Sequence, residues 1–75
     1  MTNLNPVERE TIWLLASYGM SISRVAKAML CSRATVYNRM RNIENKTGLD
    51  PANFWGLKAL LERYEITDGV GGADD

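Results

Sequence analysis

The sequence predicts a small all-α domain built from four helices. Seventy-five residues are enough for one domain. Capping residues precede the candidate helices, and apolar residues recur at helical spacing rather than in the alternation typical of strands. The predicted helices cover 6–18, 22–30, 33–46 and 51–64, within a domain of residues 1–66. We expect residues 67–75 to be disordered, because three glycines and three aspartates leave little apolar surface to bury.

The first predicted helix has a clear start and a clear end. Asn5 is a favourable N-cap, Pro6 suits the first helical position, and Glu8 stands where the acid of a capping box belongs. Gly19 favours the left-handed conformation that ends a helix. Apolar side chains lie almost all round this segment, so we expect it to be buried on more than one side.

The second and third predicted helices have the spacing of a helix-turn-helix. Ser21 and Ser32 are the expected N-caps, and Gly48 ends the third helix. Only a few residues connect the two helices, which is typical of this motif. The apolar positions that would fill the angle between them are Val25, Ala26, Met29, Cys31 and Val36.

The fourth predicted helix begins at Asp50-Pro51, a capping residue followed by proline at the first helical position. Its expected inner face consists of Phe54, Leu57, Leu60, Leu61 and Tyr64.

The charge is balanced overall but unevenly distributed. Nine basic and nine acidic residues give a net charge of zero. Residues 24–46 hold six basic residues and one acid, a net charge of +5, whereas the flanking parts are acidic. A local basic block of this kind favours an anion-binding face, and the simpler interpretation is a solvated helix surface.

The composition argues against an enzyme and against a metal site. The chain contains no histidine and a single cysteine, so the usual general base and the usual zinc ligands are missing. Cys31 is expected to be a buried small apolar residue. We expect no cofactor and no metal. No segment reaches the ~20 apolar residues that span a bilayer, and the first residues show no secretory signal, so we expect a cytoplasmic, nucleoid-associated protein without a membrane partner.

The third helix carries the argument for function. On a helical wheel Val36, Met40, Ile43 and Thr47 share the buried face. The outer surface is rich in arginine, asparagine, tyrosine and threonine, which are the groups that bind base edges and phosphates in DNA. The expected base contacts are Arg33, Ala34, Tyr37, Asn38 and Arg41. The expected phosphate contacts are Ser21, Arg24, Ser32, Thr35, Arg39 and Lys46.

Each assignment has an alternative. The outward residues of the third helix are also compatible with ordinary surface. Arg39 or Arg24 would equally suit an ion pair with Glu44 or Glu8, and Ser32 is first a helix cap.

The sequence also resembles two families of regulators. Residues 4–10, 14–16, 25–29 and 32–36 look like the LuxR/GerE-type DNA-binding domain. Residues 35–49, with Thr-Gly-Leu at 47–49, are similar to that type and more similar to the carboxy-terminal helix-turn-helix of PucR/CdaR-type regulators. The resemblance covers roughly residues 4–64 and implies a domain that binds operator DNA, usually as a dimer. Leu30 departs from the glycine that many helix-turn-helix proteins have in the turn. Both families attach this domain to a sensor or receiver, and we expect a stand-alone regulator here.

Self-association is expected through the last helix. Trp55 lies opposite Leu57 on the wheel, beside Ala59 and Glu62, and an exposed tryptophan often anchors an interface. Trp13 and Leu14 form an alternative surface.

These observations predict sequence-specific binding of double-stranded DNA by a small transcription regulator, with residues 33–46 in the major groove. The alternative is a protein-interaction module or antiactivator of the same fold, which binds another regulator. The expected partners are double-stranded DNA, a second copy of the chain, and another transcription regulator or RNA polymerase.

Overall fold

The computed structural model describes residues 3–67 and places four α-helices in that range: α1 Pro6–Ser17, α2 Ile22–Ala28, α3 Arg33–Thr47 and α4 Phe54–Arg63. No strand occurs among these residues. The predicted all-α fold of four helices is therefore confirmed. The tail from residue 68 onward, for which the sequence predicts disorder, lies outside the described residues.

The first helix forms as its capping signals predict. The Asn5 side chain accepts a hydrogen bond from the Glu8 N–H at 2.8 Å, and the Glu8 carboxylate accepts one from the Asn5 N–H at 3.0 Å. Together they form a complete capping box, with Pro6 at the start of the helix. Gly19 takes a left-handed conformation (φ 62°) shortly after the helix ends. Local sequence therefore fixes both ends of α1.

α1 is the central element of the core. It packs against α2, α3 and α4, while α2 also packs against α3. The expected burial of α1 on more than one side follows from these three neighbours. Six apolar side chains are almost inaccessible to water: Ile12, Leu15, Val25, Val36, Ile43 and Leu60.

The fourth helix starts later than predicted, at Phe54 instead of residue 51. Its N-cap is Asn53, whose side-chain oxygen accepts hydrogen bonds from the Trp55 and Gly56 N–H groups at 2.9 and 3.2 Å. Asp50 caps a preceding turn instead: its side chain accepts from the Ala52 N–H at 2.9 Å, and its carbonyl accepts from the Asn53 N–H at 3.1 Å. Asp and Pro are favoured at the first two positions of such a turn, so Asp50-Pro51 suits this turn as well as the predicted helix start.

The late start also corrects the predicted inner face of α4. Leu57 and Leu60 are buried, and Leu61 and Tyr64 are half-buried, as predicted. Phe54, however, is 59% exposed. As the first helical residue it lies before the part of α4 that packs on α1, and its ring meets the Trp55 ring edge-on at 5.2 Å. Both aromatic rings therefore lie on the surface.

The connection between α2 and α3 is a Schellman turn. The Cys31 N–H donates to the Ala26 carbonyl at 2.9 Å, and the Leu30 N–H donates to the Lys27 carbonyl at 3.2 Å. This geometry puts Leu30 in the left-handed region (φ 55°), so α2 ends at Ala28 and does not extend to residue 30. Leucine therefore occupies the position of the turn that favours glycine.

Replacing Leu30 with glycine should stabilise the domain. The left-handed region costs a non-glycine residue about 1–2 kcal/mol, and Leu30 gains no burial in return because it is 93% exposed. Glycine also gives the unfolded chain more conformational entropy, which stabilises the unfolded state by about 0.5–1 kcal/mol and partly offsets the gain. We expect Leu30→Gly to raise the free energy of unfolding by about 0.5–1 kcal/mol in urea titrations. Leu30→Ala, which keeps the Cβ atom, is the control and should stay within about 0.5 kcal/mol of the wild type. A Leu30→Gly variant less stable than Leu30→Ala would contradict this.

Ser32 is the N-cap of α3, and its hydroxyl oxygen accepts a hydrogen bond from the Thr35 N–H at 3.1 Å. Ser32→Ala removes this bond and should lower the free energy of unfolding by about 1 kcal/mol in the same titration. Ser23→Ala is the matched control, because Ser23 is an exposed residue within α2, and we expect its effect to lie within about 0.5 kcal/mol. Equal effects of the two substitutions would rule out the capping role.

Candidate nucleic-acid interface

The orientation of α3 is set by its buried face. Val36 and Ile43 are fully buried and Met40 is 5% exposed, as the wheel predicts. Thr47 is half-buried, and its hydroxyl donates to the Ile43 carbonyl at 2.7 Å. Because one side of the helix is fixed against the core, the opposite side faces the solvent.

The predicted base-contacting residues share that outer side. All five are exposed: Arg33, Ala34, Tyr37, Asn38 and Arg41. Asn42 and Asn45, which are not among the predicted contacts, are also exposed on α3. Fifteen residues make α3 about 22 Å long. The diameter of an α-helix with its side chains fits a major groove about 12 Å wide. The structure therefore brings together guanidinium, amide and phenol groups on one accessible surface.

Two predicted phosphate contacts at the start of α3 are bonded to each other. The Ser32 and Thr35 hydroxyl groups lie 3.0 Å apart, in addition to the capping bond. Ser32 is exposed and Thr35 is half-buried. This pair holds two hydroxyl groups in fixed positions at the end of α3 that follows the turn.

α2 carries two exposed cations. Arg24 is exposed, and Ser21 caps the helix by accepting from the Arg24 N–H at 3.4 Å. Lys27 is exposed as well, although it is missing from the predicted contacts. The spacing from Arg24 could have predicted it, since residues i and i+3 of a helix lie on one face. Arg24 and Lys27 thus form a basic stripe on one face of α2.

Most of the basic side chains lack an acidic partner. Among residues 3–67 the ion pairs within 4.0 Å are Lys46–Glu8 and Lys58–Glu62. The alternative pairing of Arg24 or Arg39 with Glu44 or Glu8 does not form. Glu44 lies three residues after Arg41 on α3 but does not pair with it. Within the described range, Arg24, Lys27, Arg33 and Arg41 are exposed cations that form no ion pair within 4.0 Å. Their field is therefore available to an external anion.

Arg39 and Lys46, two predicted phosphate contacts, are engaged within the domain. The Arg39 guanidinium lies 3.6 Å from Met29 Sδ and 3.9 Å from Cys31 Sγ, and the residue is half-buried over the turn. The Lys46 ammonium lies 2.8 Å from Glu8 Oε2 on α1. Neither head group extends freely from α3, in contrast to Arg33 and Arg41.

The predicted self-association surface lies on α4. Trp55 is 72% exposed, Glu62 is exposed and Ala59 is half-buried. Beside them a groove of about 440 Å³ separates the end of α1 from α4. Its apolar walls include Ala16, Gly19 and Met20 on one side and Phe54, Leu57 and Leu61 on the other. The alternative surface, Trp13 and Leu14, offers less exposed apolar area, because both residues are half-buried against the core.

Residues 3–67 contain neither a metal-binding cluster nor a membrane-spanning helix. No three side chains of the cysteine, aspartate and glutamate types come together there in a way that would hold a metal ion. None of the described helices is long and apolar enough to cross a membrane.

One of three comparisons with known proteins found a match. Neither a search of curated proteins nor a search of solved structures returned a match. The family model of the PucR C-terminal helix-turn-helix domain matches residues 9–61, which is well over half of the chain and includes α2, the turn and α3. The LuxR/GerE-type resemblance stays a prediction from the motifs. On this match, the chain belongs to the family of PucR C-terminal helix-turn-helix domains.

Proposed function

We propose that this chain binds double-stranded DNA with sequence specificity, as the DNA-binding part of a transcription regulator. In this proposal α3 lies in the major groove, and its exposed side chains read the bases. Arg33, Tyr37, Asn38 and Arg41 supply donors that match purine edges, and the Ala34 methyl group lies against the groove.

The single observation that carries this proposal is the unpaired outer face of α3. Arginine and asparagine project together from a helix whose other side is locked by Val36, Met40 and Ile43. A guanidinium group binds guanine through two hydrogen bonds, and a carboxamide binds adenine in the same way. Rigid support from the core gives such groups the fixed direction that base recognition needs.

The phosphate contacts of the proposal come from α2 and the turn. Arg24 and Lys27 would neutralise phosphates on one side of the groove, and Ser21 would donate its hydroxyl hydrogen. Ser32 and Thr35 share one hydrogen bond between their hydroxyl groups, so this pair would donate its remaining hydroxyl hydrogen to a phosphate. Contacts of this type set the register of a protein on DNA while the base contacts determine the sequence. Arg39 supports the turn through its sulfur contacts and lies close enough to the N-terminal part of α3 to add positive charge.

We propose a homodimer formed through α4. The surface offers a protruding pair, Phe54 and Trp55, and a neighbouring apolar groove, with Ala59 and Glu62 beside them. A two-fold interface requires that one surface contain both the protruding and the receiving parts. Two recognition helices about 34 Å apart would then read two half-sites, which multiplies the specificity of each one.

A second candidate function is binding of another regulator or RNA polymerase through the same α4 surface. The exposed Trp55 and Phe54 favour it, because tryptophan and other aromatics often anchor protein interfaces. In that case the complex with a protein would be insensitive to salt, and the chain would not be retained on duplex DNA.

Arg41 and Asn38 should control sequence preference. Operators are first selected from random duplex DNA, and affinity is then measured by fluorescence anisotropy. A good base contact is worth about 1–3 kcal/mol of discrimination, so Arg41→Ala or Asn38→Ala should weaken binding of the selected duplex about five- to 150-fold and relax the preference at one or two base pairs. Arg63→Ala on α4 removes an exposed cation elsewhere and is the matched control. Two outcomes would contradict the proposal that the outer face of α3 reads the bases: failure to select any DNA sequence, or equal losses of affinity in Arg41→Ala and Arg63→Ala.

Trp55 should control self-association. Truncation of an interface anchor typically costs at least about 2 kcal/mol, so Trp55→Ala should raise the dimer dissociation constant by at least about 30-fold in sedimentation equilibrium. Tyr37→Ala is the control, since Tyr37 is also an exposed aromatic residue but lies on α3. A wild-type chain that stays monomeric at all concentrations and on DNA would refute the dimer. An unchanged dimer dissociation constant in Trp55→Ala would refute this interface.

A further inference from the structure

One buried carboxylate joins the beginning of α1 to the end of α3. Glu8 Oε1 accepts hydrogen bonds from the Asn5 N–H at 3.0 Å and from the Lys46 ammonium at 2.9 Å, and Oε2 lies 2.8 Å from the same ammonium. The Glu8 side chain is 6% exposed, whereas the Lys46 side chain is 38% exposed. The same group therefore completes the cap of α1 and binds a cation on the recognition helix.

The burial of Glu8 makes this pairing hard to break. A carboxylate that loses its cationic partner in a buried position is left with an uncompensated charge. Movement of Lys46 toward a DNA phosphate would leave Glu8 in that state. The Lys58–Glu62 pair differs, because its side chains are 52% and 68% exposed and such surface pairs contribute little.

The basic residues of 24–46 thus differ in their partners. Arg39 lies against the sulfur atoms of Met29 and Cys31. Within the described part of the chain, the exposed cations that form no ion pair within 4.0 Å are Arg24, Lys27, Arg33 and Arg41. Lys46 has the same type of charge and lies on the same helix as Arg33 and Arg41, but Glu8 neutralises it. Its position in the last turn of α3 also favours a cation that stays within the domain, near the negative end of the helix dipole.

We infer that Glu8 is a positioning residue of the DNA interface, which withholds Lys46 from the phosphates and fixes the far end of α3 to α1. This inference rests on the proposed function. By binding Lys46, Glu8 prevents a contact between Lys46 and a phosphate, and such a contact would strengthen binding to any duplex regardless of sequence. Glu8 also holds the outer face of α3 at a fixed angle. The consequence is a higher ratio of specific to non-specific affinity.

The test is the salt dependence of binding for Glu8→Gln. Glutamine keeps the oxygen that accepts from the Asn5 N–H, so the cap is retained. It removes the negative charge and replaces the second oxygen beside Lys46 with an NH2 donor, so the ion pair that holds Lys46 is lost. Each phosphate neutralised adds about −0.9 to the slope of log K against log salt concentration. We expect Glu8→Gln to make this slope about 0.9 more negative for each bound protomer, to raise the affinity for random-sequence duplex, and to lower the specific-to-non-specific ratio. Lys46→Met alone should leave the slope unchanged, and Glu8→Gln/Lys46→Met should restore the wild-type slope.

Glu10→Gln is the matched control, because it removes one carboxylate from the same helix, α1, without breaking the ion pair of Lys46. Its slope should equal that of the wild type. A slope that becomes less negative by about 0.9 per bound protomer in Lys46→Met would overturn the inference, as would an unchanged slope in folded Glu8→Gln. If either single variant fails to fold by circular dichroism, Glu8→Gln/Lys46→Met decides, because it leaves no buried charge unpaired. A slope of this double variant that is less negative than that of the wild type would then overturn the inference. A wild type that binds no duplex would instead refute the proposed function itself, and this inference with it.

Discussion

The burial of Val36, Met40 and Ile43 is the interaction on which the rest of this domain depends. These side chains lie on one face of α3 and pack into a core organised around α1. Once that face is fixed, the helical period determines which residues point outward. The packing of the apolar face therefore determines that Arg33, Tyr37, Asn38 and Arg41 point outward. The tight turn after α2 supports the start of the same helix.

The electrostatics follow from this arrangement and not from the total charge, which is zero. Among residues 3–67, the exposed cations on α2 and on the outer face of α3 form no ion pair within 4.0 Å, whereas Lys46 is held by a buried glutamate. The basic segment thus contains exposed cations without an ion pair and two cations, Arg39 and Lys46, that contact other parts of the domain. A short domain with a small core gains rigidity from such a link, because α1 and α3 are then joined by charge as well as by apolar contact.

The sequence predicts the local features of this fold well and the long-range ones poorly. The capping box at Asn5, the caps at Ser21 and Ser32 and the left-handed Gly48 depend on residues within a few positions, so the pattern alone determines them. Two caps compete before α4, Asp50 and Asn53, and the choice of Asn53 decides that Phe54 is exposed. The Glu8–Lys46 pair joins residues 38 positions apart, and the Arg39 contacts depend on the crossing of α2 and α3, which helical periodicity does not describe.

The most direct measurement of the central claim is an NMR titration of the ¹⁵N-labelled chain with an operator duplex selected from random DNA. If the outer face of α3 enters the major groove, the amide shifts should change most at Arg33, Tyr37, Asn38 and Arg41 and near Arg24. The amides of the buried side, at Val36, Met40 and Ile43, should change less, and those of Leu57 and Leu60 in α4 should change only through dimer contacts. Shift changes concentrated on α1 or α4, with α3 unaffected, would contradict this account.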